Sequence, residues 1–303
     1  MRNVSLKINN GEILCLVGKS GSGKTTLMKC IYGLEDLDEG EVIFEGKKVL
    51  GPAYNLIPGY KDMKLVSQDF YVLDLHTVEE NIFDKLIGYT DEVKQKRANK
   101  LLKLLDLVAL KDSKAKYLSS GQKQRVAIAR ALAIIPRVLL LDEPFSNLDT
   151  ILSEKLFAFI TREVKKNKAS VILITHLADE ALKYADTLAV IDNGKIIQMG
   201  EKWQVYYQPK NTKLAGLLGS FNIIKPEDFE NKSKHKTKLF VRPDKLKLVT
   251  PKSPIDLRLV ILNCVYNGKC FEILAETKTG NSLVIYSTKK LETNTVHYYT
   301  VEN

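Results

Sequence analysis

Short apolar runs and amphipathic segments alternate along the first two thirds of the chain. The runs within residues 12–17, 64–66, 138–142 and 171–174 are apolar without alternation, which is typical of strands buried on both faces. Between them, apolar residues recur at helical spacing, as in Leu101, Leu104, Leu105 and Val108. This spacing predicts helices at residues 25–32, 77–88, 91–107, 119–134, 153–166 and 178–184. Buried strands that alternate with helices indicate an α/β domain with a largely parallel sheet.

Other segments have the two-residue alternation of exposed strands. Residues 4–8 predict a strand, and two hairpins are predicted at residues 41–50 and 188–198. After residue 219 the pattern changes: residues 220–238 are polar and charged, and short strands with turns follow. Asn267-Gly268 is a strong hairpin signal among them. We therefore predict an α/β domain at residues 1–219, a linker at 220–238 and a small β-barrel or sandwich at 239–303.

Composition narrows the class of protein. The fractions of 45% hydrophobic and 27% charged residues are those of a soluble globular chain, and no apolar run approaches the roughly 20 residues of a membrane helix. The four cysteines form no CxxC pair and predict no metal site. The formal net charge of +10 favours binding to an anionic surface, and much of the excess positive charge lies in residues 232–238. No basic patch with interleaved aromatic residues is present, so nucleic acid is not a predicted partner.

A glycine-rich stretch between a buried strand and a helix has the pattern G-x-x-x-x-G-K-[ST]. Such a loop wraps a phosphate with its N–H groups, and the helix N-terminus adds partial positive charge there. Lys24 is then expected to reach the β- and γ-phosphates, and the Thr25 hydroxyl to bind Mg²⁺. The alternative is an ordinary glycine turn. The predicted phosphate-binding residues are Gly18, Lys19, Ser20, Gly21, Ser22, Gly23, Lys24, Thr25 and Thr26.

Two carboxylates follow the apolar strand at residues 138–142. We predict that Asp142 holds Mg²⁺ through water and that Glu143 polarises an attacking water. The alternative is an acidic turn after a core strand. A second helix start, at Ser119 and Gln122, fits a capping box. It is either a well-capped helix or a second anion site, with close backbone approach at Gly121.

Together these stretches resemble the ATP-binding subunits of ABC transporters. GKSGSGKTT resembles their Walker A motif, LLLDEP their Walker B motif and LSSGQKQRVAIARAL their signature motif, in the family's order and separation over about residues 1–220. Residues 146–149 resemble the D-loop, Gln68 occupies the Q-loop position, and His176 resembles the switch histidine. The resemblance implies that Glu143, His176 and Gln68 are catalytic, and that Thr25, Gln68 and Asp142 hold Mg²⁺. It further implies nucleotide contacts by Ser119, Ser120, Gly121, Gln122 and Asp149.

The resemblance also implies an architecture and partners. Two subunits sandwich two ATP molecules, so that the signature motif of one faces the Walker A loop of the other. The helical subdomain, at about residues 69–135, contacts two transmembrane permease subunits. Phe240-Val-Arg-Pro-Asp244 resembles the start of the β domain of importer ATPases for sugars, sulfate, iron and polyamines. An ATPase dimer at the cytoplasmic face of the membrane is expected, with an external binding protein as an indirect partner.

The sequence departs from the family pattern at three places. Ser120 stands where the family usually has glycine, and a serine is tolerated there if its φ is negative. Leu177 stands where aspartate is common, and we expect this to change the capping of the next helix. No Phe, Tyr or Trp occurs in residues 1–31, although the family stacks adenine on an aromatic residue ahead of the loop. We expect either an upstream start codon or an adenine contact from elsewhere, such as the partner subunit. Without stacking, we expect ATP to bind roughly ten- to hundredfold more weakly and to be poorly distinguished from GTP. The family carries that aromatic residue on an additional N-terminal strand, and we expect the absence of this strand to leave residues 4–8 as an unpaired sheet edge.

Three other functions compete with an importer ATPase. A non-transport ABC ATPase usually has two ATPase halves or a long coiled-coil insertion, and this chain has neither. A GTPase needs an aspartate to read guanine, which residues 167–170 lack. A regulator that binds ATP without turnover is disfavoured by the presence of both Glu143 and His176.

Overall fold

Two units make up the computed structural model, which describes residues 1, 3–60, 62–231, 236–250 and 256–302. They are Met1–Val205 and Tyr206–Asn303, each with a hydrophobic core of its own. The first unit ends at Val205, ahead of the predicted domain boundary at residue 219, so that boundary is moved toward the N-terminus. The predicted linker is also wrong in its first part, because Asn222–Ile224 is a strand that pairs with Leu239–Val241. Such a three-residue strand is too short to be recognised by alternation. Residues 232–235 of the predicted basic segment lie outside the described residues.

Six strands form the central sheet of the first unit, in the order β4-β5-β6-β1-β7-β8. All neighbours in it are parallel except β7 and β8. The carboxyl ends of the parallel strands therefore lie at one edge of the sheet, where ligands bind in open α/β sheets. The strands of this unit, including the small β2–β3 hairpin, are β1 (Ile13–Val17), β2 (Ile43–Phe44), β3 (Lys47–Lys48), β4 (Met63–Val66), β5 (Val138–Asp142), β6 (Ser170–Thr175), β7 (Thr187–Asp192) and β8 (Lys195–Glu201).

The helices of the first unit have apolar faces that pack on the sheet or on one another. Between β4 and β5, three helices, α2, α3 and α4, pack together as the predicted helical subdomain. Arg130 of this group is buried and donates to the side chains of Asn81 and Asp84. The helices are α1 (Lys24–Tyr32), α2 (Val78–Phe83), α3 (Asp91–Leu104), α4 (Ser120–Ala133), α5 (Thr150–Asn167) and α6 (Ala178–Tyr184).

Residues 4–8 correct a sequence prediction. All five are described, and none lies in a strand. Val4, Leu6 and Ile8 are instead partly buried against the core of the sheet. Their alternation therefore reflects packing of one side of an irregular segment, and the predicted sheet edge at residues 4–8 is absent from this part of the structure.

The second unit is a small antiparallel β domain. Its five-stranded sheet has the order β11-β15-β12-β13-β14, and β9 and β10 pair separately. The predicted small β domain is thus confirmed as an antiparallel sheet and a hairpin, without a closed ring of pairing among the described residues. Its elements are α7 (Lys202–Tyr207, which spans the division), α8 (Thr212–Leu217), β9 (Asn222–Ile224), β10 (Leu239–Val241), β11 (Leu246–Val249), β12 (Leu257–Tyr266), β13 (Phe271–Thr277), β14 (Ser282–Ser287) and β15 (Val296–Val301).

Arg242 joins the segments of this second unit. It is buried at the end of β10, and its guanidinium donates to the carbonyl oxygens of Ala215, Gly219 and Ser220 at the end of α8. The same group lies 4.1 Å from the centroid of the Tyr206 ring. A cation near the last carbonyls of a helix compensates their partial negative charge. The Arg-Pro-Asp segment is therefore explained by a structural contact.

Candidate functional site

The glycine-rich loop runs from the end of β1 to the start of α1. A Cβ atom at Gly18 would lie 2.3 Å from the Ile191 carbonyl oxygen, which is backbone and cannot swing away. Gly23 precedes α1 with φ 100°, a conformation that side chains disfavour. The loop closes through a hydrogen bond from the Ser22 N–H to the Lys19 carbonyl oxygen, at 3.1 Å. Glycine is thus required at two positions by separate physical constraints.

Lys24 is the first residue of α1, and its side chain is folded back into this loop. Its ammonium donates to the carbonyl oxygens of Gly18, at 2.8 Å, and Lys19, at 3.0 Å. Burial lowers the pKa of Lys24, whereas the carboxylates of Glu143 and Asp142 act to raise it. A positive charge held by two carbonyl oxygens at a helix N-terminus can transfer its hydrogen bonds to a phosphate.

Asp142 ends β5 and lies beside the start of α1. Burial raises the pKa of Asp142, and a hydrogen bond with the Thr25 side chain opposes this effect. Its Oδ1 atom is buried and has no hydrogen-bond partner among the described residues. A hydroxyl and an unsatisfied carboxylate oxygen are hard donors that suit Mg²⁺. Among the described residues, no group of three or more His, Cys, Asp or Glu side chains that could hold a metal ion occurs.

Glu143 has an unusual backbone conformation for its residue type. Its φ is 49°, in the left-handed region, which costs a residue with a side chain about 1–3 kcal/mol and persists only where the surrounding structure holds it. Its N–H donates to the Ile174 carbonyl oxygen at 3.0 Å, and its own carbonyl accepts from Ser146 Oγ at 3.0 Å. This turn places Glu143 Oε1 3.1 Å from Nδ1 of His176, which follows β6. A strained residue that orients a carboxylate is characteristic of a functional site.

The loop, the carboxylate and two further predicted residues line one cavity of about 510 Å³. Gln68, which follows β4, and His176 thus lie at the same cavity as the phosphate loop. The sheet register explains the convergence, because the ends of β4, β5, β6 and β1 lie side by side. The lining residues are Ser20, Gly21, Gly23, Lys24, Thr25, Thr26, Gln68, Glu143 and His176.

The predicted signature residues lie elsewhere in the same chain. Ser119 caps α4 as the sequence predicts: its Oγ accepts from the Gln122 N–H at 3.3 Å, and its N–H donates to Gln122 Oε1 at 2.9 Å. A Cβ atom at Gly121 would lie 3.3 Å from the Asn147 carbonyl oxygen, so this turn approaches the D-loop segment closely. Asp149 caps α5 by accepting from the Leu152 N–H. Neither these residues nor Ser120 are among the described residues that line the cavity.

Two of the three departures from the family pattern, at Ser120 and Leu177, have a local structural account. Ser120 is the first residue of α4 and has no positive φ, so its side chain is accommodated. Leu177 precedes α6 without a side-chain cap, as its residue type predicts. Thr175 binds the start of this helix in another way: its Oγ1 accepts from the N–H of Leu177 itself at 3.0 Å and donates to Glu180 Oε2 at 2.6 Å, so it does not replace the cap.

Sequence reasoning missed one buried residue beside the site. Gln124 of α4 is fully buried, and its amide donates to the carbonyl oxygens of Glu143 and Pro144. The only local signal is a polar residue on the apolar face of a helix, which by itself does not identify its partner.

A phosphate loop, a β5 carboxylate pair and a histidine after the next strand, with a helical subdomain inserted in the sheet, define an ATP-binding cassette. A family described as ABC transporter matches residues 1–146. The spermidine/putrescine import ATP-binding protein PotA of Clostridioides difficile is 34% identical over 312 residues, covering 97% of this chain and 88% of the relative. The sulfate/thiosulfate import ATP-binding protein CysA of a Synechocystis strain is 30% identical, covering 94% of this chain and 83% of the relative.

Solved structures give the same class. A dimeric post-hydrolysis state of the ATP-binding cassette MJ0796, bound to ADP and Pi, has a TM-score of 0.58 and 30% identity. The match covers 66% of this chain and 89% of the MJ0796 chain. The chain therefore belongs to the family of ATP-binding subunits of ABC transporters, which hydrolyse ATP.

Proposed function

We propose that this chain is the ATP-hydrolysing subunit that powers substrate translocation by an ABC importer. The observation that carries the proposal is the cavity in which the phosphate loop meets Gln68, Glu143 and His176. A loop alone serves kinases, GTPases and transport ATPases alike, whereas a carboxylate and a histidine opposite the loop suit hydrolysis by water. The curated relatives named above are import ATP-binding proteins, which supports coupling of that hydrolysis to import.

Each residue at the cavity has a proposed task in hydrolysis. Lys24 exchanges its two loop carbonyls for the β- and γ-phosphates of ATP. Thr25 and Asp142, with Gln68, would hold Mg²⁺, which when bound neutralises charge on the phosphates. Glu143 accepts the proton of the attacking water, and His176, 3.1 Å from it, orients that carboxylate and the γ-phosphate.

The signature residues support a dimer. Ser119 and its helix start lie outside the cavity of their own chain, at an exposed N-terminus where backbone N–H groups favour an anion. We infer that they serve the nucleotide of a second ATPase subunit, as a homodimer or paired subunit. The dimeric form of MJ0796 among similar structures supports this assembly. The trans contacts are proposed for Ser119, Ser120, Gly121, Gln122 and Asp149.

Exposed apolar side chains in and next to the helical subdomain suit docking of a permease. Tyr71, Leu75 and Ile87 are 72%, 71% and 79% exposed, and all three lie in or next to the helical subdomain. Exposed apolar clusters on a folded unit mark interaction sites. In the described part of the chain, no helix is both long and apolar enough to span a bilayer. We propose that two transmembrane subunits dock on this surface at the cytoplasmic face of the membrane.

The substrate class is a further proposal. Relatives named for spermidine/putrescine and for sulfate/thiosulfate import match over nearly the whole chain, and we propose an importer of the polyamine, iron, sulfate or sugar type. Selection among these substrates is expected to lie in the permease and the external binding protein.

Affinity purification from membranes dissolved in mild detergent tests the assignment. The wild-type chain should recover two transmembrane subunits and hydrolyse ATP, whereas Leu75→Glu combined with Ile87→Glu should lose the subunits and keep basal hydrolysis. Leu56→Glu is the matched control, because Leu56 is 98% exposed on a loop of the first unit outside the proposed docking surface. Recovery of ribosomes in place of membrane proteins would overturn the importer assignment.

A further inference from the structure

Gln124, on α4, joins this helix to the turn that carries Glu143, the residue proposed as the base. Its Nε2 atom donates to the carbonyl oxygen of Glu143 at 3.2 Å and to that of Pro144 at 3.1 Å. The two carbonyl oxygens can only accept hydrogen bonds, so the NH₂ end of the Gln124 amide, and not its oxygen, must face them. Both amide hydrogens are thus used on the backbone of the turn that carries Glu143.

The turn at Glu143 depends on such contacts. A left-handed glutamate is unfavourable by itself and persists only where several contacts hold it. The Glu143 carbonyl has Ser146 and Gln124 as donors, and of these only Gln124 comes from a different element of the fold. Rotation of this peptide would redirect the Glu143 side chain, which now lies 3.1 Å from His176.

We propose that Gln124 is a positioning residue for hydrolysis, which holds Glu143 in the conformation that aims its carboxylate at the attacking water. The inference rests on the base role of Glu143 in the proposed function. Gln124 is not among the described residues that line the cavity, and its hydrogen bonds go to the turn that carries Glu143, so we expect it to act through Glu143. It lies five residues after Ser119 on the same helix, about 7.5 Å along the axis. Through Gln124, the start of α4, which is proposed to bind the partner's nucleotide, is connected to Glu143 of its own subunit.

Gln124→Met tests the proposal in the full-length chain. Methionine has a similar length and no donor, so the backbone of the turn loses both hydrogen bonds from Gln124. We expect kcat for ATP to fall about 10- to 100-fold, as for other displacements of a catalytic group, while KM and the ATP dissociation constant change less than about threefold. A purely structural role would instead lower the amount of folded protein and leave kcat per folded molecule unchanged.

Arg125→Met is the matched control on the same helix. Arg125 also donates to two carbonyl oxygens, those of Leu105 and Asp106 at 3.0 Å each, but these lie in the helical subdomain, far along the chain from Glu143. It should leave kcat of the isolated chain within about twofold. An equal loss of kcat in the control would overturn the proposal, since any helix contact would then suffice.

A double-mutant cycle separates action through Glu143 from an independent effect. In the Glu143→Gln chain, adding Gln124→Met should change the residual single-turnover rate by less than about twofold, because the base is already absent. A full additional loss would refute the positioning role. Gln124→Asn, which keeps an amide but is one methylene too short, is the second variant. If both variants fail to fold by thermal unfolding, Gln124 is structural and the proposal fails; a wild-type chain without ATPase activity would instead refute the proposed function.

Discussion

The substitution Glu143→Gln separates nucleotide binding from hydrolysis in this cassette. It replaces one carboxylate oxygen by an amide nitrogen of the same size, so the contact with His176 is retained in shape. The backbone turn is untouched, because its hydrogen bonds with Ile174, Ser146 and Gln124 involve only the main-chain N–H and carbonyl of Glu143. Only the capacity to accept a proton from water is lost.

The magnitude follows from that single loss. A positioned general base contributes about 10²- to 10⁴-fold, so kcat should fall by this factor, equivalent to about 3–5 kcal/mol in the barrier. Glu143 is one of two carboxylates whose charge acts on Lys24, and its removal relieves repulsion of the phosphates. The ATP dissociation constant should therefore stay the same or decrease, and the ATP-bound dimer should accumulate.

Phosphate release and gel filtration with MgATP measure the two effects. Glu154→Gln is a suitable control, since Glu154 is an exposed carboxylate paired with Lys183 and the substitution makes the same chemical change. Near-normal hydrolysis by a folded Glu143→Gln chain would remove Glu143 from the base role. Weakened ATP binding would show that the carboxylate supports the nucleotide rather than the water.

Three further substitutions or truncations test separate parts of the argument. Gly18→Ala places a Cβ atom 2.3 Å from a β7 carbonyl oxygen and should abolish ATP binding, with a loss of stability of about 1–3 kcal/mol by calorimetry. Gly216→Ala in α8 has no left-handed φ and meets only the Phe221 ring, at 3.7 Å, so it should cost less; equal effects would contradict the steric argument. Mixing inactive Lys24→Ala and Ser119→Arg chains should restore ATPase activity in heterodimers, and no recovery at any ratio with confirmed dimers would count against trans action. A chain ending after Pro209 should still bind MgATP by fluorescence titration, because the site and its core lie in the first unit; loss of binding by a folded truncation would show that the units are interdependent.

Local patterns were sufficient for the parts of the site that are continuous in sequence. The strand, loop and helix at residues 13–32 follow from an apolar run, fixed glycines and helical spacing, and the structure has them within one residue of the predicted bounds. Helix α6 has the predicted bounds. The capping box at Ser119 and Gln122 is likewise a local hydrogen-bond pattern and is confirmed.

Contacts between distant residues could not be predicted in this way. Gln124 and Glu143 are 19 residues apart, and Arg242 binds carbonyls up to 36 residues away, so neither contact leaves a periodic signal. The left-handed conformation of Glu143 is also hidden, because glutamate gives no cue for positive φ. Residues 4–8 show the opposite error, since alternation predicts one buried side but cannot supply a neighbouring strand.

The order of the strands bears on how a permease could influence hydrolysis. Gln68 follows β4, the phosphate loop follows β1, and β5 and β6 lie between them. At about 4.8 Å per strand, the ends of β4 and β1 are about 14 Å apart. Gln68 therefore reaches the cavity from its far side, and the chain continues from it directly into the helical subdomain with the exposed Tyr71 and Leu75. A force applied to that subdomain must move Gln68 relative to Lys24, since the sheet holds the loop fixed. We thus expect permease docking to act on the placement of Gln68 and, through Gln124 on α4 of the same subdomain, on that of Glu143.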